Sequence, residues 1–203
     1  MKKKYILLLM LLLIIIISIC LIYRNNNNKE DTDIKVKYPI YEYYKLNKVI
    51  TENINYYLKD NIDNYYFLYI DYKDYEYKEY ISIVLYISYF TGGAHPNYEI
   101  KTINYNKSTN KFIDIDDLIN RDKDILNKLS IYSREYFSNN DMFNDKVVFD
   151  MMIDGTKSIK DNYKYFNITS DGLIIYFNRY QIAPYYYGDY SITISYNYLN
   201  LSI

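Results

Sequence analysis

One histidine, one cysteine and 25 acidic residues are the raw material for chemistry in this 203-residue chain. His95 lies in Thr91-Gly92-Gly93-Ala94-His95-Pro96-Asn97, with Asp114 and Asp116 the carboxylates considered beside it. A catalytic zinc normally takes three protein ligands, often several of them histidine. His95 with two aspartates would be a carboxylate-rich substitute. Those aspartates alternate with Ile113 and Ile115, however, as on the solvent face of a short strand. A Ser-His-Asp triad finds no Gly-x-Ser-x-Gly turn to carry its nucleophile. Paired carboxylates for glycoside hydrolysis exist in number, but no arrangement points to them. The inventory therefore argues against an enzyme and for no metal or cofactor. His95 is expected to pack or hydrogen-bond within its own loop.

That loop is itself unusual. The chain has five glycines and three prolines. Gly92, Gly93 and Pro96 share one loop, Gly172 sits in a second, and Pro184 and Gly188 sit in a third. Tight turns account for Gly172. A hairpin needs two special residues rather than the seven of Thr91 to Asn97, and a rigid loop on a sheet is a common place for recognition.

The elements that must hold these loops alternate between periods of two and 3.6. Ile34 to Tyr41 alternates apolar and polar residues up to Pro39 and suits an edge strand. Leu46, Val49, Ile50, Ile54, Tyr57 and Leu58 form one helical stripe. Tyr65 to Tyr105 reads as three antiparallel strands, with breaks near Lys73-Asp74 and at Thr91 to Asn97. Asn106 to Asn110 is a turn cluster. Asp116-Asp117-Leu118 opens a helical stretch around Ile125, Leu126, Leu129, Ile131 and Tyr132. Residues 139–162 carry a weak helical stripe. Strands return over Tyr163 to Ile168, Leu173 to Phe177 and Tyr190 to Tyr196, with Thr169 to Gly172 as a turn. Strands and helices in separate blocks predict an α+β fold, an antiparallel sheet with helices packed on one face.

Composition sets the location. Lys2, Lys3 and Lys4 precede a run without charge from Tyr5 to Tyr23, long enough to span a bilayer core of roughly 30 Å. It exceeds the apolar core of a cleavable signal peptide. Lipidation at Cys20 would call for a small residue where Ile19 stands. The expectation is a single transmembrane signal-anchor over 5–23, a cytoplasmic tip of residues 1–4 and a polar linker over 24–33, with the rest external. Four cytoplasmic residues leave no room for a binding domain there. Setting aside the three leading lysines, 21 basic residues face 25 acidic ones, net −4. Nucleic acid is an unsuitable partner for such a surface. The single cysteine excludes a disulfide framework. The 31 tyrosines rise together with Asn, Ile and Lys, as A+T-rich coding would produce, and so mark no binding face by themselves.

Phe90-Thr91-Gly92-Gly93-Ala94-His95-Pro96-Asn97 resembles the loop signature of the extracellular module shared by RsiV-type anti-sigma factors and PdaC-type peptidoglycan deacetylases. Asp116-Asp117-Leu118 resembles that family's helix start, and Phe166 through Gly172 its turn. Leu173 through Gly188, with Ile182-Ala183-Pro184 and Gly188, is similar to its most specific stretch. The resemblance covers roughly 33–203, divided as an N-terminal half over 34–110 and a C-terminal half over 111–203. It implies a non-catalytic ectodomain that binds lysozyme or another wall-active protein, or alternatively peptidoglycan. The expectation is that neither a sigma-factor-binding domain nor a deacetylase domain accompanies it. The resemblance carries over Pro184 and Tyr186 as partner contacts, and the expected partner-binding residues add Thr91, Gly92, Gly93, His95 and Pro96 of one loop and Ala183 and Gly188 of the other. Asp189 and the external acid excess would suit a basic partner.

Overall fold

The computed structural model describes residues 16–18, 32–59 and 64–203. The expected anchor, linker and Cys20 fall outside these residues, apart from a helical stretch at 16–18 and the linker's last two residues. No helix among the described residues is long and apolar enough to cross a membrane.

The fold is α+β, with sheets dominated by antiparallel pairing. The first sheet orders β1 (Asp33–Val36), β2 (Phe67–Tyr77), β3 (Tyr80–Phe90), β4 (Asn97–Asn106) and β5 (Lys111–Phe112) edge to edge. β1 pairs with β2 in parallel, and the other pairs are antiparallel. A parallel neighbour needs a crossover, and α1 (Tyr44–Leu58) supplies it. Its stripe of Leu46, Ile50, Ile54 and Tyr57 is buried against Leu68, Ile70, Ile83, Leu85 and Ile87 of the sheet. The turn between β2 and β3 lies at Lys78-Glu79, not at Lys73-Asp74 as the sequence reading has it. Lys73 and Asp74 run through the ladder opposite Val84 and Ile83. The strand tolerates the charges because both side chains stay at solvent, with Tyr41 donating its hydroxyl to Asp74 at 2.6 Å.

The expectation of one sheet with helices on one face requires correction. A second, three-stranded sheet of β6 (Phe166–Ile168), β7 (Leu173–Phe177) and β8 (Tyr190–Ile194) stacks on the first. Residues such as Ile174 and Tyr176 point toward the first sheet, where Tyr176 meets Val84 and Ile100. Alternate residues Leu173, Ile175 and Phe177 point away, into a core shared with the remaining helices. These are α2 (Ile115–Arg121), α3 (Ile125–Ser138), α4 (Lys146–Gly155), α5 (Lys160–Tyr163) and α6 (Tyr196–Leu199). Helices therefore cover both outer sides. The sheets are separate because β6 meets the first sheet through side chains rather than a ladder. Asn104 donates to the Phe166 carbonyl at 2.9 Å, and the Ser82 hydroxyl accepts from the Ile168 N–H at 3.0 Å. Every polar group in this buried seam finds a partner, as burial demands.

Two smaller corrections follow the same logic. Asp114 does not alternate on a strand but caps α2, accepting from the N–H groups of Asp116 and Asp117 while Asp117 accepts from the Asp114 N–H. The third expected terminal strand stops at Ile194, where Ser195 caps α6. Gly172 shows why its turn needs glycine. Its φ is +144°, and a Cβ there would lie 2.1 Å from the Ile194 carbonyl oxygen.

Candidate functional site

Two loops meet at one end of the stacked sheets: residues 91–96 between β3 and β4, and residues 178–189 between β7 and β8. Polar side chains of the long loop hold it in place. Asn178 accepts from the Ile100 N–H at 3.0 Å. The Gln181 side chain accepts from the Asn178 N–H and donates to the carbonyls of Gly155 and Asn162 at 3.1 and 3.0 Å. Ile182 and Ala183 are buried in the second core. Pro184 then starts a 3-10 turn over Tyr185–Tyr187, closed by Gly188.

The contact between the loops is aromatic. The His95 ring stacks on Tyr185 with centroids 3.8 Å apart. Pro96 offers its carbonyl to both, at 3.0 Å from His95 Nδ1 and 2.8 Å from the Tyr185 hydroxyl. With Nδ1 donating, Nε2 is left to accept from the Tyr180 hydroxyl at 3.3 Å. His95 is thus not confined to its own loop; it joins the two. Arg179 also lies against Tyr185. Its guanidinium carbon is 4.6 Å from the Tyr185 ring centroid and 3.6 Å from that of Tyr98, an arrangement favourable for cation–π attraction. Asp189 accepts from the Arg179 N–H at 3.0 Å and faces Nε at 3.7 Å. Nε itself is buried without a hydrogen-bond partner. Burial pushes the Asp189 carboxyl above its ordinary range, and the Arg179 charge opposes that shift without cancelling it.

The structure brings His95 and Pro96 against the 178–189 loop and places Pro184 beside the joint. Tyr186 projects outward, 74% exposed, its ring 4.1 Å from Tyr187. Ala183 is core, not surface. Thr91 stands apart, lining a cleft of about 640 Å³ with Tyr56, Tyr57, Tyr65 and Tyr89. Gly92 neighbours the Tyr66 ring, and Gly93 and Gly188 face open space. The sequence reading singled out neither Tyr180, Tyr185, Arg179, Tyr98 nor Gln181. Among the described residues, no group of three or more His, Cys, Asp or Glu is spaced to hold a metal ion.

The joint makes a direct prediction. Tyr185→Phe removes only the hydroxyl bond to Pro96 and should cost about 1 kcal/mol in urea unfolding. Tyr185→Ala removes the stack as well, and amide hydrogen exchange across 91–96 should accelerate while β2 keeps its protection. Unchanged exchange in the loop would show that the stack does not hold it.

Comparison with known proteins adds kinship to this geometry. Residues 116–197 match the family model described as a protein of unknown function, DUF3298. Peptidoglycan-N-acetylmuramic acid deacetylase PdaC of Bacillus subtilis (strain 168) is 37% identical over 127 residues, covering 62% of this chain and 27% of that protein. The chain thus spans about a quarter of that relative's length. A DUF3298 family protein from Pseudomonas aeruginosa PAO1 superimposes with TM-score 0.65 at 18% identity, covering 83% of each chain. A DUF3298 family member from Bacteroides fragilis NCTC 9343 gives TM-score 0.51 at 20% identity, covering 77% of this chain and 61% of that one. At such identities the two structures speak for the fold alone.

Proposed function

We propose, from the match of residues 116–197 to the DUF3298 model and the similarity to part of PdaC, that the chain is a non-catalytic binding module, displayed outside the cell on an anchor over residues 5–23. Its partner is lysozyme or another protein that acts on the cell wall. The observation that carries this reading is the joint between the loops. The His95–Tyr185 stack fixes their backbones, while Tyr180 and Tyr186 stand 56% and 74% exposed at its edge. Fixed loops lose little entropy on binding, and tyrosine buries a large ring while keeping a polar handle. The same joint engages both ring nitrogens of His95, which suits a structural role for the one imidazole rather than proton transfer. The acid excess would steer a basic partner inward.

The test is calorimetric titration of the full chain in detergent micelles with a C-type lysozyme. Saturable binding should weaken about thirtyfold or more in a Tyr180→Ala/Tyr186→Ala double variant, the loss of a hot-spot pair of about 2 kcal/mol or more. Absence of binding, or equal affinity in the variant, would remove this partner or this surface respectively. A second reading, that the module holds peptidoglycan itself, is favoured by kinship to a protein whose name gives peptidoglycan as its substrate. Retention of the chain on purified wall sacculi is its test.

A further inference from the structure

Resting on the second of these readings, we infer that a slot between the first sheet and Arg179 is a saccharide subsite, taking a pyranose unit of a wall glycan. The second sheet covers only part of the first sheet's inner face. Ser82 and Val84 of β3 lie beneath it, whereas Tyr86, two residues on, is 40% exposed. Beyond that boundary the uncovered face and the 178–189 loop enclose about 290 Å³. Tyr69, Tyr86 and Tyr98 supply aromatic walls, Asp71 comes from β2, and Arg179 and Asp189 come from the loop.

The charge arrangement selects the ligand. One guanidinium beside two carboxylates leaves a small negative excess that disfavours an anion, and Lys37 beside Asp71 offsets part of it. Glu99 also borders the slot, but its carboxylate is occupied, accepting from the hydroxyls of Tyr57 and Tyr89 at 2.6 and 3.0 Å. What remains is a set of charged acceptors and a charged donor around aromatic surface. A neutral polyhydroxylated ring answers each group: its hydroxyls donate to carboxylate and accept from guanidinium, and its C–H face lies on tyrosine. The groups are held ready. Arg179 is fixed between Tyr98 and Tyr185. One Asp71 oxygen accepts from the Tyr72 N–H at 2.9 Å, and the other meets Lys37 at 3.4 Å, both side chains largely exposed, a contact weak enough to be exchanged.

The experiment is calorimetric titration of the full chain in detergent micelles with chitotetraose, alongside retention on purified sacculi. Saturable binding is expected, weakened about tenfold by Tyr69→Ala and by the isosteric Asp71→Asn, and unchanged by Val147→Ala, an exposed side chain on α4 away from both loops. Thermal melts establish that Tyr69→Ala is folded, and Asp71→Asn stands if it is not. Equal affinity in wild type and Asp71→Asn overturns the slot. Retention on sacculi without chitotetraose binding overturns the slot and leaves the peptidoglycan reading in place; loss of both removes the two together.

Discussion

Substituting alanine for Gly155 should destabilise the protein by about 3 kcal/mol, toward the upper end of what overpacking costs. Gly155 closes α4, and its backbone touches the long loop directly. A Cβ there would fall 1.9 Å from the Gln181 carbonyl oxygen and 2.9 Å from Ile182 Cγ2. The obstacle on the nearer side is main chain, which cannot rotate away as a side chain can. Gly155 also accepts from Gln181 Nε2 at 3.1 Å, so the helix and the loop must part together. The loop that moves carries Tyr180, Tyr185 and Arg179, and partner binding should fall with stability. For a chain of this size the thermal midpoint should drop by roughly 6 to 12 °C. A melt within a degree of wild type would show that helix and loop separate at little cost.

Alkaline unfolding should be steep. Tyrosine ionises near pH 10 in an unfolded chain. Burial pushes the Tyr163 hydroxyl up to about 12 in the folded protein. Burial first, then the hydrogen bond to Glu99, lifts Tyr57 further. Tyr176 rises as well, by burial and then its bond with Tyr75. All three side chains are almost entirely enclosed. Below about pH 10 both states hold these protons and stability is intact. From there toward pH 12 only the unfolded chain releases them, so stability falls by about 1.4 kcal/mol per pH unit for each group. Three groups remove about 4 kcal/mol per unit, against a total of roughly 5 to 15 kcal/mol for a domain. Loss of ellipticity and a sudden rise in tyrosinate absorbance should therefore coincide between about pH 11 and 12. Tyr163→Phe, which loses the bond to the Thr156 carbonyl, should make the transition about one-third less steep. Gradual tyrosinate formation in a chain that stays folded would contradict this account.

What the sequence disclosed and what it concealed divide along physical lines. The α1 stripe of Leu46, Ile50 and Ile54 was legible because a helix on a sheet must repeat its apolar face. The loop at Thr91 to Asn97 and the Gly172 turn were legible because glycine and proline are scarce here. The β2 turn was misplaced because a Lys-Asp pair marks a break only where its side chains lack solvent, and Lys73 and Asp74 have it. Two stacked sheets and one wide sheet produce the same alternation along the chain. Side-chain bonds such as those of Asn104 and Ser82 distinguish them, and those join residues more than sixty positions apart. Gly155 gave no signal, since a lone glycine at a helix end looks like an ordinary stop. Tyr180 and Tyr185 were hidden among 31 tyrosines; their importance lies in what they meet, which no spacing records.

The parallel pairing of β1 fixes which way the module faces. Asp33 lies beside Phe67, and Phe67 beside Phe90, next to Thr91, so the chain enters at the end that bears the joined loops. The last residue lies far away, where Ile203 accepts from Lys78 in the opposite turn. On the proposed anchor, a leash of the eight residues 24–31 could span at most about 28 Å. A module held by it would turn its gripping end toward the surface that holds it, and clearance beneath it, as much as affinity, would decide what can be caught. Lengthening the leash would then widen the catch without altering a single contact.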